Sequence, residues 1–129
     1  MAIPAGLRRR VVDRAAGRCE YCLLAQFGQE AEFHVDHIEP QAAGGPTVFE
    51  NLALACVSCS LRKAARRTAL DPATKKEVPI FHPRKDRWSA HFRWHGALIV
   101  GISSSGRATV DALAFNRAVA YAIRAQLLL

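Results

Sequence analysis

The sequence is poor in aromatics and in acid. Its 129 residues include six Phe, two Trp, two Tyr and one Met, and 11 Asp and Glu stand against 18 Lys and Arg. No apolar stretch approaches the roughly 18 residues that a membrane span needs. Residues 118–129 come nearest, but Arg124 and Gln126 interrupt them. The opening MAIPAGLRRR has no apolar segment before its arginines, so it does not read as a secretory signal. A cytoplasmic chain with no membrane partner is therefore expected, and in that compartment thiols stay reduced. No internal repeat or low-complexity run is present.

Half the residues are hydrophobic, an ordinary globular balance and not a disordered one. The length suits a single domain, 1–129, with a modest core that a metal staple would help. The formal charge is +7 and the pI about 9.8. Basic residues bunch at Arg8-Arg9-Arg10, at Arg62-Lys63 with Arg66-Arg67, and at Arg84-Lys85 with Arg87. Such a surface concentrates polyanions, nucleic acid being the commonest, although a solvated basic face has the same composition.

The pattern of elements is mixed, α+β. Residues 4–16 read as a helix, with Pro4 in its first turn, Leu7, Val11 and Ala15 on one face, and Gly17 ending it. After a loop containing Gly28, residues 33–38 alternate as a short strand. Pro40 and Gly44-Gly45-Pro46 force a loop. Residues 60–67 read as a basic helix. Asp71-Pro72 closes a site half of about 1–70. In the packing half, about 71–129, residues 78–83 are extended by their prolines. Strands are expected at 88–94 and 97–102, with turns at His95-Gly96 and Ser103–Gly106. Helices are expected at 107–115 and 116–128, or one helix bent near Asn116.

Cys19 and Cys22 form one CxxC, and Cys56 and Cys59 another. Each turn lets two thiolates converge on one tetrahedral ion, so together they predict a structural zinc. A redox role is the alternative for a CxxC, but neither pair lies in a thioredoxin-like βαβ pattern. Four thiolates leave no open coordination position, so this zinc would hold the fold and do no chemistry. The long insertion between the pairs carries Asp36-His37, Gly44-Gly45 and Asn51.

The run His34-Val35-Asp36-His37-Ile38-Glu39-Pro40, then Gly44-Gly45, then Glu50-Asn51-Leu52-Ala53-Leu54-Ala55-Cys56, Cys59 and Lys63 resembles an HNH endonuclease of the zinc-bearing type. The resemblance spans residues 19–63. From Pro79-Ile80-Phe81-His82-Pro83 to Gly106-Arg107-Ala108-Thr109-Val110 the chain also resembles a tail found in many small HNH proteins.

The resemblance implies a ββα-metal (His-Me finger) core on a four-cysteine knuckle, with an N-terminal helix and a C-terminal extension of two strands and helices. It implies that Asp36 binds a catalytic Mg²⁺ or Mn²⁺, that His37 is the general base, and that Asn51 holds the loop that aims it. Neutral imidazole can take a proton from water near neutral pH, which suits that role. The family's last metal ligand is a His or Asn directly after the final cysteine; here that residue is Ser60, a shorter and weaker ligand.

His34 shares a strand face with Asp36. It either joins the ion or a phosphate, or only hydrogen-bonds beside the site. Arg62, Lys63, Arg66 and Arg67 would meet the phosphates of double-stranded DNA without reading sequence, or form a solvated helix face. His82, His91, Trp88 and Trp94 fit core roles better than ligand or base-stacking ones. The expected function is a divalent-metal-dependent DNA endonuclease. The alternatives are a nucleic-acid-binding module of the same fold without catalysis and, more remotely, a zinc-stapled protein-interaction domain.

Overall fold

A computed structural model describes residues 3–27 and 29–127. Gly28 of the expected loop and residue 128 of the expected last helix lie outside the described residues. The chain forms two compact units, residues 1–65 and 66–129. Among the described residues no helix is long and apolar enough to cross a membrane.

The first unit begins with α1, Ala5–Arg14, which follows Pro4 and ends where Ala16 and Gly17 take positive φ. Strands β1, His34–His37, and β2, Leu52–Ala55, pair antiparallel, with His34 opposite Ala55 and His37 opposite Leu52. Short 3₁₀ turns at Gln41–Ala43 and Phe49–Asn51 shape the connection between them. Helix α2, Val57–Lys63, follows at once. All four residues of β2 are buried, so Leu-Ala-Leu-Ala reads as a continuous apolar run and not as an alternating one. α2 therefore starts earlier than the expected 60–67 and stops before Arg66. The start is set by the Cys56 sulfur, which caps the helix by accepting from the Cys59 N–H. The stop comes at Ala64, which has φ +47°.

The second unit contains two hairpins, not one. β3, Thr68–Leu70, pairs with β4, Glu77–Pro79, and β5, Phe92–His95, pairs with β6, Leu98–Gly101. The first hairpin was not expected; its strands are three residues each, too short to show a period. Asp71 builds its loop. The Asp71 carboxylate accepts from the Ala73 N–H at 3.1 Å and the Thr74 hydroxyl at 2.9 Å. It also takes a two-pronged contact from the Arg107 guanidinium, at 3.0 and 2.8 Å.

Two further expectations are corrected here. Trp88–His91 is a helical turn, α3, and only Phe92–His95 is strand. That turn lets Trp88 stack on both Phe92 and Trp94, at 5.1 and 5.7 Å between ring centroids. Ser103–Gly106 is the start of a helix, α4, Ser104–Ala112, and not a free-standing turn. Ser103 caps it by accepting from the Gly106 N–H at 2.9 Å. A Cβ on Gly106 would lie 2.0 Å from the His91 carbonyl oxygen, so this glycine serves close packing.

The break near Asn116 is real, and α5, Ala118–Gln126, follows it. The Asn116 amide both accepts from and donates to the Ile99 backbone, at 2.8 Å each, and so acts as a strand partner to β6. Arg124 is buried, donating to the carbonyls of Ala120 and Phe115.

The Arg107 guanidinium, with the Ala73 and Thr74 donors, holds the Asp71 carboxyl below the usual carboxylate range. Its contribution to stability is therefore complete above the unfolded carboxylate value of about 3.9 and is lost as pH falls below it. Asp71→Asn is expected to lower the melting temperature at pH 7, with the gap to wild type closing below about pH 4. A gap that stays constant with pH would show that the charge on Asp71 does not matter.

Candidate nuclease site

Cys19, Cys22, Cys56 and Cys59 are buried, free of disulfides, and have their sulfurs within 4.8 Å of one another. In a zinc tetrahedron with Zn–S near 2.3 Å, neighbouring sulfurs lie about 3.8 Å apart. The Cys22 and Cys56 sulfurs lie 3.8 Å apart. The two CxxC turns mirror each other: the Cys22 N–H donates to Cys19 Sγ and the Cys59 N–H to Cys56 Sγ, both at 3.4 Å. Hydrogen bonds from the other three cysteines pull the Cys56 thiol far below its ordinary range, whereas burial pushes Cys19 up. This donor set can hold a metal such as zinc. Among the described residues it is the one group of three or more His, Cys, Asp or Glu close enough to do so.

The knuckle is tied directly to the strand pair, since the Glu20 N–H donates to the Leu54 carbonyl at 2.8 Å. Arg14 reinforces this from α1. Its guanidinium donates to the carbonyls of Phe49, at 2.7 Å, and of Leu52, and it lies over the Phe49 ring. Arg14 thus turns inward, toward the strand pair.

Asn51 is buried and pins the connection between the strands. Its Oδ1 accepts from the Glu39 N–H at 2.9 Å, and its Nδ2 donates to the carbonyls of Glu39 and Pro46 at 3.1 and 2.8 Å. Gly45 passes so close that a Cβ would lie 1.8 Å from the Glu39 oxygen. Just beyond β1, the Lys63 ammonium donates to the Ile38 carbonyl at 2.9 Å and reaches the His37 carbonyl at 3.5 Å.

Lys63 is only 3% exposed, and burial lowers its pKa. The expectation that Lys63 meets phosphate is thereby corrected, because its donors already serve the backbone of the site. Arg62, Arg66 and Arg67 are exposed. Arg62 lies on α2 and donates to the Ser58 hydroxyl at 3.2 Å, whereas Arg66 and Arg67 belong to the second unit.

The strand register runs unbroken through His37, so Asp36 and His37 lie on opposite faces. On one side, His37 Nε2 sits 2.8 Å from the Thr47 hydroxyl. Burial pushes the His37 pKa down from the ordinary imidazole range, with Asp36 pulling it up and Lys63 pressing it down. Thr47 carried no signal in the sequence; it is found only because Asn51 folds the loop back.

On the other side, His34 and Asp36 line one groove of about 480 Å³ with Arg8, Glu32, Phe33 and Val35. His34 Nδ1 lies 2.8 Å from the Ser60 hydroxyl, which joins the strand to α2. No hydrogen bond from the described residues reaches the Asp36 carboxylate. A carboxylate and an imidazole lining one groove suit a divalent ion that keeps water.

His82 and His91 serve structure. His82 Nδ1 accepts from the N–H groups of Arg84 and Lys85, each at 3.1 Å. His91 Nδ1 contacts the Ser103 hydroxyl at 2.6 Å. Trp88 belongs to the aromatic cluster of the second unit, and Trp94 stays 46% exposed beneath Arg124.

Gly45→Ala should destabilise the protein by about 1–3 kcal/mol, the usual cost of forcing atoms into a filled space. Chemical denaturation checks this. An unchanged midpoint would mean that the loop is not held against Asn51.

No curated protein and no solved structure matches this chain. Residues 19–66 match the family model described as HNH endonuclease. That segment runs from the first knuckle cysteine past the end of α2 and contains Asp36, His37, Asn51 and Ser60. The chain thus carries, at residues 19–66, a segment that matches the HNH endonuclease family model.

Proposed function

We propose that the protein is a divalent-metal-dependent endonuclease that hydrolyses phosphodiester bonds of double-stranded DNA, built on a ββα-metal core of β1, β2 and α2. The observation that carries this reading is the placement of His37: an imidazole held 2.8 Å from the Thr47 hydroxyl, next to a carboxylate on the opposite strand face. His37 takes a proton from the attacking water. Asp36 holds the ion, and Asn51 keeps the loop folded so that Thr47 stays against His37. The ion, once bound, neutralises charge on the scissile phosphate and its leaving oxygen. Zinc at the four cysteines holds the knuckle and takes no part in the reaction. Arg62, Arg66 and Arg67 contact phosphates without reading sequence.

A second reading, a binding module without catalysis, is favoured by one observation: Ser60, at the family's last ligand position, is already engaged with His34.

Plasmid nicking with Mg²⁺ or Mn²⁺ separates the two. Wild type should cut, and His37→Ala should lose about 10²–10⁴-fold in rate, the usual share of a general base. Binding without cutting under either ion would leave the second reading standing. Binding itself should weaken steeply with salt, and less steeply in Arg62→Ala, because phosphate contacts release counterions. Removal of zinc by a chelator should release one equivalent and unfold the first unit, read as loss of its slow-exchanging amides. Retained protection after the metal has gone would show that the thiols hold the fold without it.

A further inference from the structure

The position after Cys59 is where the family's last ligand would stand, and Ser60 occupies it. Its hydroxyl does not point freely at the groove, because His34 Nδ1 lies 2.8 Å away. A histidine that ligates a metal commonly donates its other ring N–H to an outer acceptor, which sets the tautomer and the orientation of the ring. The His34–Ser60 contact has the distance for such an arrangement. With Nδ1–H donating to Ser60 Oγ, Nε2 carries the lone pair.

No described residue hydrogen-bonds His34 Nε2. His34 is exposed, so the ring is not filling a core. Residues two apart on a strand share a face, and His34 and Asp36 line the same groove. Ser60 is not among the residues that line that groove.

We infer that His34 is the partner of Asp36 at the divalent-ion site and that Ser60 is a positioning residue that aims His34. This deepens the proposed nuclease reading and rests on its assignment of an ion to Asp36. The ligand of the helix has moved to the strand: the imidazole comes from two residues before the carboxylate, and the helix supplies only the hydroxyl that orients it. One imidazole and one carboxylate favour first-row transition ions over Mg²⁺, which prefers oxygen alone. The site is therefore expected to take Mn²⁺ in preference to Mg²⁺.

The test uses the full-length, zinc-loaded protein and Mn²⁺ as the probe. Pulsed electron paramagnetic resonance of bound Mn²⁺ should show imidazole-nitrogen coupling in wild type and in His37→Ala, and none in His34→Ala. Coupling absent from wild type, or persisting in His34→Ala, would overturn the assignment.

Titration should show Ser60→Ala weakening Mn²⁺ by about tenfold, the lower end for loss of an outer hydrogen bond, with His34→Ala weakening it further. Ser60→Thr keeps the hydroxyl and should restore the affinity. Equal affinity in wild type and Ser60→Ala would remove Ser60 from the site. Plasmid cleavage measured on the same samples keeps the two readings apart. Cleavage without nitrogen coupling overturns only the ligand assignment, and coupling without cleavage overturns only the nuclease.

Discussion

The geometry of the first unit depends on four sulfurs meeting at one point. Cys19 and Cys22 lie just after α1, and Cys56 and Cys59 open α2, with 33 residues between the two pairs. Bringing the pairs together closes that loop and leaves it little freedom. β2 ends one residue before Cys56 and Ser60 follows Cys59, so the knuckle sets how the helix stands against the strands. The contact between His34 on β1 and Ser60 on α2 follows from that placement. So does the reach of Lys63, one helical turn further on, to the carbonyls at the end of β1.

Around this anchor, buried polar groups hold what regular structure cannot. The segment 38–51 contains two 3₁₀ turns and a glycine in close contact, and its backbone groups lack a full ladder of partners. Asn51 supplies both an acceptor and donors to it, Lys63 donates to its first carbonyl, and Arg14 donates at its far end. Each would be costly to bury unpaired. Paired, they make the loop conformation specific, and that conformation brings Thr47 to His37. Part of the chain's positive charge is therefore internal, at Lys63, Arg14 and Arg124, which leaves a smaller basic surface than composition alone suggests.

The candidate site was legible in the sequence where its chemistry is local. Two CxxC turns each place two sulfurs by covalent spacing, and Asp36-His37 on a strand must face opposite ways whatever surrounds them. The stop of α1 shortly before Gly17 and the break near Asn116 were legible for the same reason. The β3–β4 hairpin was not, because three-residue strands have no period to read and the loop is organised by Arg107, far along the chain. Ser103–Gly106 resembled a turn because serine and glycine favour turns. In the structure the serine is a helix cap, and the glycine makes room for a neighbouring carbonyl.

The family resemblance marked Ser60 as the departure from its last ligand, whereas residue type and spacing alone determined that four thiols would gather and that a carboxylate and an imidazole would sit side by side between them. Those statements need only neighbours in the chain. The tertiary structure decided which side chains meet across long separations. It placed His34 against Ser60 and Thr47 against His37, and it took Lys63 from the surface into the backbone of the site. A lysine on a short helix looks the same in sequence whether it faces water or a strand end. Only the packing of α2 against β1, set by the cysteine cluster, decides between them.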